Sequence, residues 1–231
     1  MKCLFLSDAH FPKSKAILSF LLDVYTEFNA IYILGDLFEF YYGYENFFYS
    51  HHAELFGVLN VISKKTEVFL FEGNHEYNLY AIKRFLDVNV VEKELEIEID
   101  GMNVYMEHGD RIDKNDIYYR LFRLALKNPF SLKLIGKIDY RFLFDMSKKA
   151  SHFSKKRLKD KTDRRTDVAL EAFAEQLTKN GKDVVILAHT HTPLLKKMDS
   201  GLYINCGDFF EHFSYVVYDS KNGFSLKFYK G

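Results

Sequence analysis

Three short apolar segments near the N-terminus constrain the fold more than any other feature of the sequence. They read KCLFLS (residues 2–7), AIYILGD (30–36) and EVFLFEGN (67–74), and their composition is typical of strands that are buried on both faces. Apolar residues at helical spacing fill the first gap behind Ser14, the predicted helix cap, and a second helix is predicted at 53–63. This alternation of strands and helices predicts a parallel sheet with right-handed crossovers.

The rest of the chain predicts a mixed arrangement of strands and helices. Residues 94–107 alternate charged and apolar side chains around Asp100-Gly101, which predicts an antiparallel hairpin. A fourth apolar segment, VVILAHTHTP (184–193), predicts another buried strand that ends on two histidines. The remaining predicted elements are a helix at 77–86, a long helical stretch at 113–179, a hairpin that turns at Ser200-Gly201, and strands at 214–218 and 224–229.

The composition is that of a folded globular protein. Nearly half of the 231 residues are apolar, with 23 Phe and 16 Tyr, so the chain can bury a large core in one domain. The two cysteines, Cys3 and Cys206, do not make a disulfide framework or a cysteine metal site, and both are predicted to be buried free thiols. The N-terminal apolar segment is too short for a signal peptide, and no segment approaches the length of a membrane-spanning helix, so we expect a cytoplasmic protein.

The formal net charge is zero, but the charge is distributed unevenly along the chain. Residues 111–165 contain 17 Lys and Arg against six Asp and no Glu, so the remaining residues carry the balancing negative excess. A basic surface raises the local concentration of anionic ligands or of anionic membrane. We therefore expect this segment to have an anionic partner.

Side chains that bind metal ions follow the predicted buried strands and the first hairpin. Five of the nine histidines lie at these strand ends, which chance placement explains poorly. Because residues i and i+2 of an extended chain point the same way, a pair such as Asp8 and His10 can direct two side chains into one crevice. The seven predicted ligands are Asp8, His10, Asp36, Asn74, His108, His189 and His191, and His75 directly follows Asn74.

This set of donor atoms indicates two transition-metal ions. Imidazole nitrogen with carboxylate and amide oxygen suits Mn, Fe or Zn better than calcium, and we expect two divalent ions with Mn preferred. Seven side chains are too many for one ion that must also bind substrate. Two divalent ions with two carboxylates and a bridging hydroxide keep a positive charge, which favours an anionic substrate and suits phosphoryl transfer to water. The alternative is that the histidines are ordinary polar residues where strands end.

The ordered motifs DAH, GDLFE, GNHE, HGD and HTH resemble those of the calcineurin-like metallophosphoesterases, and the resemblance covers nearly all of the chain. It implies an α/β fold, a four-layer αββα sandwich in which two mixed sheets pack face to face with helices outside. It also implies a single metallophosphoesterase domain over residues 1–231, with a helical lid insert at about 113–165.

The same resemblance implies a role for each predicted ligand. It assigns two sets that share one carboxylate: Asp8, His10, Asp36 and His191 to one metal ion, and Asp36, Asn74, His108 and His189 to the other. Asn74 and His75 are the implied catalytic residues, and both, with His189, are implied to touch substrate. In this family the histidine at the position of His75 contacts the phosphate or protonates the leaving group.

A narrower resemblance is to the bacterial UDP-2,3-diacylglucosamine diphosphatases of lipid A synthesis. The stretch YILGDLFE, followed by Tyr41 and Gly43, is similar to theirs. HGD is followed, at their spacing, by Asp116, Tyr119, Phe122, Arg123 and Pro129. This implies hydrolysis of a lipid-linked nucleotide sugar to diacylglucosamine 1-phosphate and UMP, with Asp116 and Tyr119 as further substrate contacts. One departure is GNHE in place of GNRD, since His75 cannot offer the permanent bidentate fork of an arginine.

Several alternatives stay open at this point. The apolar residues of the insert either line a lid that takes acyl chains, with a basic rim that allows peripheral contact with an anionic inner membrane, or only dock the insert on the core. Asp116 and Tyr119 are otherwise a helix N-terminal acid and a core aromatic, and His75 is otherwise structural. The alternative enzyme is another phosphodiesterase acting on nucleotides or nucleic acid, although nucleic acid is the less favoured partner. The non-enzymatic alternative is a metal-free scaffold of the same fold.

Overall fold

The structure is a computed structural model that describes residues 1–43, 52–113 and 162–230, with residues 162–164 described by their backbone alone. Most of the predicted insert, including Asp116 and Tyr119, lies outside the described residues. In chain order the elements are β1 (Lys2–Leu6), α1 (Ala16–Val24), a 3-10 turn (Tyr25–Glu27), β2 (Ala30–Ile33), β3 (Tyr41–Tyr42), α2 (Ala53–Ile62), β4 (Glu67–Phe71), β5 (Glu76–Tyr77), a second 3-10 segment (Leu79–Arg84), β6 (Asn89–Val91), β7 (Glu94–Ile99), β8 (Met102–Glu107), α3 (Thr162–Lys179), β9 (Val184–Leu187), β10 (Leu194–Met198), β11 (Gly201–Asn205), β12 (Ser214–Asp219) and β13 (Gly223–Phe228).

The first sheet contains six strands in the order β13-β12-β1-β2-β4-β6. β1, β2, β4 and β6 are parallel, and the register places Leu4 opposite Ile31 and Ile31 opposite Val68. β12 and β13 extend the sheet beyond β1 with antiparallel pairing. The predicted parallel order of the first three buried strands is therefore confirmed, with α1 between β1 and β2 and α2 between β2 and β4 along the chain.

The second sheet contains five strands in the order β10-β11-β9-β8-β7. β9 lies between β8 and β11 with parallel pairing on both sides, and antiparallel hairpins form the two edges. The β7-β8 hairpin turns at Asp100 (φ 48°) and Gly101 (φ 82°), as predicted for an Asp-Gly pair. β3 and β5 form a separate two-stranded parallel sheet.

Alternate side chains of the central strands enter different buried clusters, and this alternation defines the layers. Phe5 of the first sheet shares a cluster with Ile186 of the second, so these faces pack against each other. Leu4 points to the opposite face, where side chains of α1 and α2 cover the first sheet. Leu170 of α3 packs against Val185 on the outer face of the second sheet. The layers are helix, sheet, sheet, helix, and the predicted αββα sandwich is confirmed.

The two cysteines are buried and free, as predicted. Burial raises the pKa of Cys3 to about 11, so its side chain stays an unreactive thiol at neutral pH. Among the helices in the described part of the chain, none has both the length and the apolar character that crossing a membrane requires.

The predicted start of α1 and the predicted turn of the β10-β11 hairpin are wrong in detail. Ser14 does not cap α1: Lys15 precedes the helix with backbone angles that are already helical (φ −80°, ψ −19°), whereas a capping serine needs extended angles. The buried Ser14 hydroxyl has no hydrogen-bond partner among the described residues. The β10-β11 hairpin turns at residues 199–200, because Gly201 is already paired within β11.

The helix predicted at 77–86 is also wrong. Tyr77 belongs to strand β5, and Asn78 then adopts a left-handed backbone with φ 57°. A residue in that region cannot lie within a right-handed helix, so the helical segment begins only after Asn78, and it is the 3-10 segment Leu79–Arg84.

Candidate metal centre

The carboxyl ends of strands from both sheets meet in one crevice. Two backbone hydrogen bonds tie the loop after β1 to the loop after β2, from Asp8 N to Gly35 O and from His10 N to Asp36 O, each 3.0 Å long. The loop after β9 joins them because the backbone N–H of His189 donates to Asp8 Oδ2 at 3.3 Å. Motifs that are far apart in sequence thus become neighbours, as ligand sites in α/β sheets require.

Asp36 lies between two groups of predicted ligands. His108 Nε2 is 3.6 Å from Asp36 Oδ2 on one side, and His10 Nε2 is 4.0 Å from the same oxygen on the other. His10 Nε2 is also 3.8 Å from Asp8 Oδ1, and His191 Nε2 lies 3.2 Å from that oxygen. Asp36 therefore occupies the position that a bridging carboxylate needs.

The remaining predicted ligands complete the group around His108. Asn74 Oδ1 is 3.1 Å from His108 Nε2, and the rings of His108 and His189 are 5.1 Å apart. Among the described residues, three triplets each offer one donor atom per residue within 4.8 Å of the others. Two consist of predicted ligands only, Asp8, His10 and His191, and Asp8, Asp36 and His108, and the third is His10, Glu39 and His75. The structure thus brings all seven predicted ligands into one centre.

Most of the predicted ligands have a strained backbone. A positive φ is uncommon for residues other than glycine and costs about 1–3 kcal/mol where the rest of the fold imposes it. Eight such residues occur in the described chain, and five of them are predicted ligands: Asp8 (50°), His10 (49°), Asp36 (50°), His189 (73°) and His191 (57°). Strain concentrated at one place indicates that the fold holds these side chains in position for a function.

The centre also contains buried polar atoms that no described residue satisfies. Asp8 Oδ1 and His10 Nε2 are inaccessible to solvent and make no hydrogen bond, because the contact of Asp8 Oδ1 with His191 Nε2 at 3.2 Å is not aligned for one. A buried polar atom without a partner costs about 1–3 kcal/mol, and coordination to a cation would satisfy both of these atoms. Gly73 keeps the crevice open, since a Cβ there would overlap the Asp36 carboxylate. The residues present therefore fit divalent metal ions.

Four of the predicted ligands, two aspartates and two histidines, already have the protonation states that metal ligands require. Burial alone would raise the pKa of Asp8 and of Asp36, but the surrounding imidazoles outweigh burial and hold both pKa values below the ordinary range. Burial lowers the pKa of His10, and it lowers that of His189 to about 4, so both rings keep a lone pair for coordination. At His108 the carboxylates outweigh burial and raise the pKa to about 9. A proton on His108 thus balances negative charge that a metal ion would balance when bound.

His75 lies at the open side of the centre. Its backbone N–H donates to Asp36 Oδ1 at 2.9 Å, and its ring lies 4.6 Å from that of His10. Its ring Nδ1 is 2.6 Å from the backbone oxygen of Glu39. Because a carbonyl only accepts hydrogen bonds, Nδ1 carries a proton, while Nε2 lies 3.9 Å from Asp36 Oδ2. The side chain is 24% exposed, whereas those of Asp36 and His10 are 2% and 5% exposed.

Two glutamates that the sequence analysis did not single out support this centre. Glu39 Oε2 is 3.4 Å from His10 Nδ1, so it can orient the ring whose Nε2 faces the two aspartates. The carboxylate of the fully buried Glu76 accepts hydrogen bonds from the backbone N–H groups of Asp36 (2.9 Å) and Gly73 (2.8 Å). Both residues lie within the motifs GDLFE and GNHE, and their position there was the available signal.

Asn205, at the end of β11, supports the turn that carries His189 and His191. Its amide nitrogen donates to the backbone oxygen of Ala188 (3.1 Å) and to Thr190 Oγ1 (3.0 Å). Its amide oxygen accepts from the backbone N–H of Gly207 at 2.9 Å. No sequence motif pointed to Asn205, because its partners come from a different strand.

Comparisons with known proteins agree with this geometry. A family model described as calcineurin-like phosphoesterase matches residues 1–193. The UDP-2,3-diacylglucosamine hydrolase of Azotobacter vinelandii is 26% identical over 205 residues, covering 86% of this chain and 85% of that protein. The protein of the same name from Stenotrophomonas maltophilia K279a is 28% identical over a 246-residue alignment that covers 98% of each chain.

Two solved structures are similar in fold. A structure described as a novel archaeal phosphodiesterase superposes with a TM-score of 0.50 at 16% identity, covering 98% of this chain and 99% of that one. Yfce, a phosphoesterase from E. coli, also gives 0.50 at 16% identity, with coverage of 95% and 89%. The family match covers most of the sequence and contains every predicted ligand. The chain belongs to the calcineurin-like phosphoesterase family, and the protein is a hydrolase of that family.

Proposed function

We propose that this phosphoesterase hydrolyses the diphosphate bond of UDP-2,3-diacylglucosamine to give diacylglucosamine 1-phosphate and UMP. The observation that carries the proposal is the convergence of seven metal-binding side chains from separate motifs on one crevice. The substrate is supported by the curated relatives, which are named UDP-2,3-diacylglucosamine hydrolases and align over as much as 98% of both chains.

The centre fits two divalent metal ions, which we propose to be Mn²⁺. The first ion would be held by Asp8, His10, Asp36 and His191, and the second by Asp36, Asn74, His108 and His189. When bound, such a pair of ions activates water and polarises the phosphoryl oxygens. The chain prepares this site by keeping Asp8 ionised and His189 neutral, because ligands must present lone pairs.

His75, with protons on both ring nitrogens, is the proposed proton donor through Nε2 to the leaving oxygen, and Asn74 is proposed to act beside it. The Glu39 carbonyl holds the His75 Nδ1 proton, which directs Nε2 towards the open side of the centre. The bond from the His75 backbone to Asp36 fixes the distance between this ring and the predicted ligands. We therefore propose that His75, Asn74 and His189 contact the substrate phosphate.

The predicted insert is proposed to bind the lipid part of the substrate, with Asp116 and Tyr119 as substrate contacts. Its basic composition, over residues 111–165, supports peripheral contact with an anionic membrane. Arg165 Nη2 lies 3.0 Å from Asp113 Oδ2, and Arg165 Nε lies 3.2 Å from the same oxygen. This pair brings the two ends of the insert together, which supports a single domain with an insertion.

A second candidate function is hydrolysis of another phosphodiester, such as a nucleotide. It is favoured by His75, which stands where the narrower resemblance has an arginine that grips a diphosphate. A metal-free scaffold is less well supported, because every predicted ligand is present and Asp8 and His10 keep buried atoms unsatisfied.

The experiment is a kinetic comparison of purified protein supplied with Mn²⁺ on UDP-2,3-diacylglucosamine and on bis(p-nitrophenyl) phosphate. The proposal expects a higher kcat/KM for the lipid substrate and two metal equivalents per chain by plasma mass spectrometry. Preference for the aryl diester would transfer the assignment to the second candidate. A chain that binds no metal and hydrolyses neither compound would favour the scaffold.

A further inference from the structure

The loop after β11 is built around one buried carboxylate. Asp208 is inaccessible to solvent, and its Oδ1 accepts hydrogen bonds from the backbone N–H groups of Phe210 (3.0 Å), Glu211 (2.6 Å) and His212 (3.1 Å). The other oxygen, Oδ2, pairs with His212 Nδ1 at 2.5 Å. Three backbone bonds to a single buried acceptor fix the course of residues 208–212. The position of the Phe210 side chain therefore follows from the fold.

Phe210 lies against the metal centre. Its ring is 5.4 Å from the ring of His10 and 5.2 Å from that of His191, with interplanar angles of 81° in both cases. Edge-to-face contacts of this kind are attractive for aromatic rings. Phe210 thus forms one wall of the crevice, beside two residues proposed to hold the same metal ion.

Lys13 is brought to this wall by the loop after β1. The backbone N–H of Lys13 donates to the oxygen of His10 at 2.8 Å, which closes a turn directly after this predicted ligand. The Lys13 ammonium then lies 3.1 Å from the centroid of the Phe210 ring, where the ring face attracts a cation. Lys13 also acts on Glu39. Burial alone would raise the pKa of Glu39, but nearby His10, and Lys13 more weakly, outweigh burial and hold this pKa below its ordinary value.

The charge of Lys13 differs in kind from that of the other side chains at the centre. The groups described so far are carboxylates, one amide and imidazoles, and an imidazole is cationic at neutral pH only when its surroundings raise its pKa. An ammonium keeps its charge through the physiological range. A substrate with two linked phosphates carries one anionic group at the reacting centre and a second beside it. That second group needs a cation at the rim.

We propose that Lys13, held on the Phe210 ring, binds the phosphate of a diphosphate substrate that is not attacked, and so gives the enzyme preference for diphosphates over simple phosphodiesters. The inference rests on the proposed function for the reacting centre and adds a specificity residue to it. Lys13 lies three residues beyond the DAH motif and outside all five motifs. Its role follows from its place beside His10 and Phe210.

The test compares Lys13→Met with the unchanged protein on a diphosphate and on a monophosphate diester. Both are assayed with Mn²⁺ on UDP-2,3-diacylglucosamine and on bis(p-nitrophenyl) phosphate, and inhibition of the second reaction by UDP-glucose is measured. Loss of a charge-assisted contact should raise KM for the lipid substrate and the inhibition constant of UDP-glucose about tenfold. The kcat and KM for the aryl diester should stay within about twofold.

Matched variants separate this role from a structural one. Lys15→Met removes an exposed lysine two residues away, whose ammonium is 3.9 Å from Glu54, and should leave every constant unchanged. Lys13→Arg should restore most of the diphosphate preference, because it restores the charge. Phe210→Leu removes the ring that positions the ammonium and should weaken UDP-glucose inhibition in the same direction as Lys13→Met.

The outcomes are distinct. Equal losses on both substrates, or no change in UDP-glucose inhibition, would overturn the role of Lys13. An unchanged inhibition constant in Phe210→Leu would overturn the role of the ring. If the unchanged protein does not turn over the lipid substrate but UDP-glucose inhibition still depends on Lys13, the proposed substrate fails and the diphosphate site stands.

Discussion

Replacing Asn205 with alanine should loosen the turn that carries His189 and His191, and the contacts of its amide give the size of the effect. The side chain is 1% exposed and makes three hydrogen bonds, two as donor and one as acceptor. Alanine would leave the buried backbone N–H of Gly207 without an acceptor. It would also remove the amide donor to the Thr190 hydroxyl and one of two donors to the Ala188 carbonyl, which keeps the backbone N–H of Thr190 at 2.9 Å.

The expected loss of stability is about 3 kcal/mol. An unsatisfied buried N–H costs about 1–3 kcal/mol, and the two deprived acceptors and the small cavity add about 1 kcal/mol more. With a urea m-value of about 3 kcal/mol per molar, the unfolding midpoint should fall by about 1 M. Mn²⁺ affinity should fall by about 10- to 100-fold, as is usual when a residue that orients metal ligands is removed.

Urea unfolding of the metal-free protein and calorimetric titration with Mn²⁺ measure the two effects separately. Thr190→Val removes one partner of the Asn205 amide and should give a smaller loss of affinity, whereas Thr190→Ser keeps the hydroxyl and should match the unchanged protein. Asn103→Ala, at an exposed position on β8, is the control for loss of an amide. An Asn205→Ala protein with an unchanged midpoint and unchanged Mn²⁺ affinity would refute the support assigned to this side chain.

Three further predictions concern the metal centre and the insert. Asp36→Asn keeps a residue type that tolerates left-handed φ but removes the bridging charge, so it should retain less than about one metal equivalent by plasma mass spectrometry; two equivalents would contradict the bridge. His75→Ala should lower kcat by about 10²–10⁴ at unchanged metal content, and an unchanged rate would remove its role as proton donor. Replacement of residues 114–161 by a short Gly-Ser linker should leave a folded protein that hydrolyses bis(p-nitrophenyl) phosphate, because Asp113 and Arg165 already lie together; loss of that activity and of metal binding would show that the core needs the insert.

Much of the layer structure was predictable because period and composition are local properties. The apolar composition of β1, β2, β4 and β9 predicts that these strands are buried. The carboxyl ends of parallel strands in one sheet lie at the same edge, independent of the conformation of the loops. The convergence of Asp8 and Asp36 follows from that rule, whereas His191 joins them because the second sheet packs face to face with the first. The helix predicted at 77–86 failed because a single left-handed residue, Asn78, decides the course of the chain there, and periodicity does not detect it.

The supporting residues were less predictable than the ligands. Glu76 and Asn205 act partly through hydrogen bonds to backbone groups 17 to 40 positions away, so their importance depends on how the loops come together. Phe210 and Lys13 meet across nearly the whole length of the chain. The motifs contain the predicted ligands and two supporting residues, Glu39 and Glu76, whereas the roles of Asn205, Phe210 and Lys13 become visible only in the folded structure.

The left-handed backbone at five predicted ligands lowers the stability of the fold while it positions the side chains that bind metal. At about 1 kcal/mol each, these residues together cost roughly 5 kcal/mol, which is comparable with the whole net stability of many domains. Glycine at Asp8 or at His191 would relax the backbone and abolish a ligand in the same step. Random mutation followed by selection for heat resistance alone should therefore enrich inactive glycine variants at these positions. Only in the metal-loaded protein does coordination by these residues offset their backbone strain.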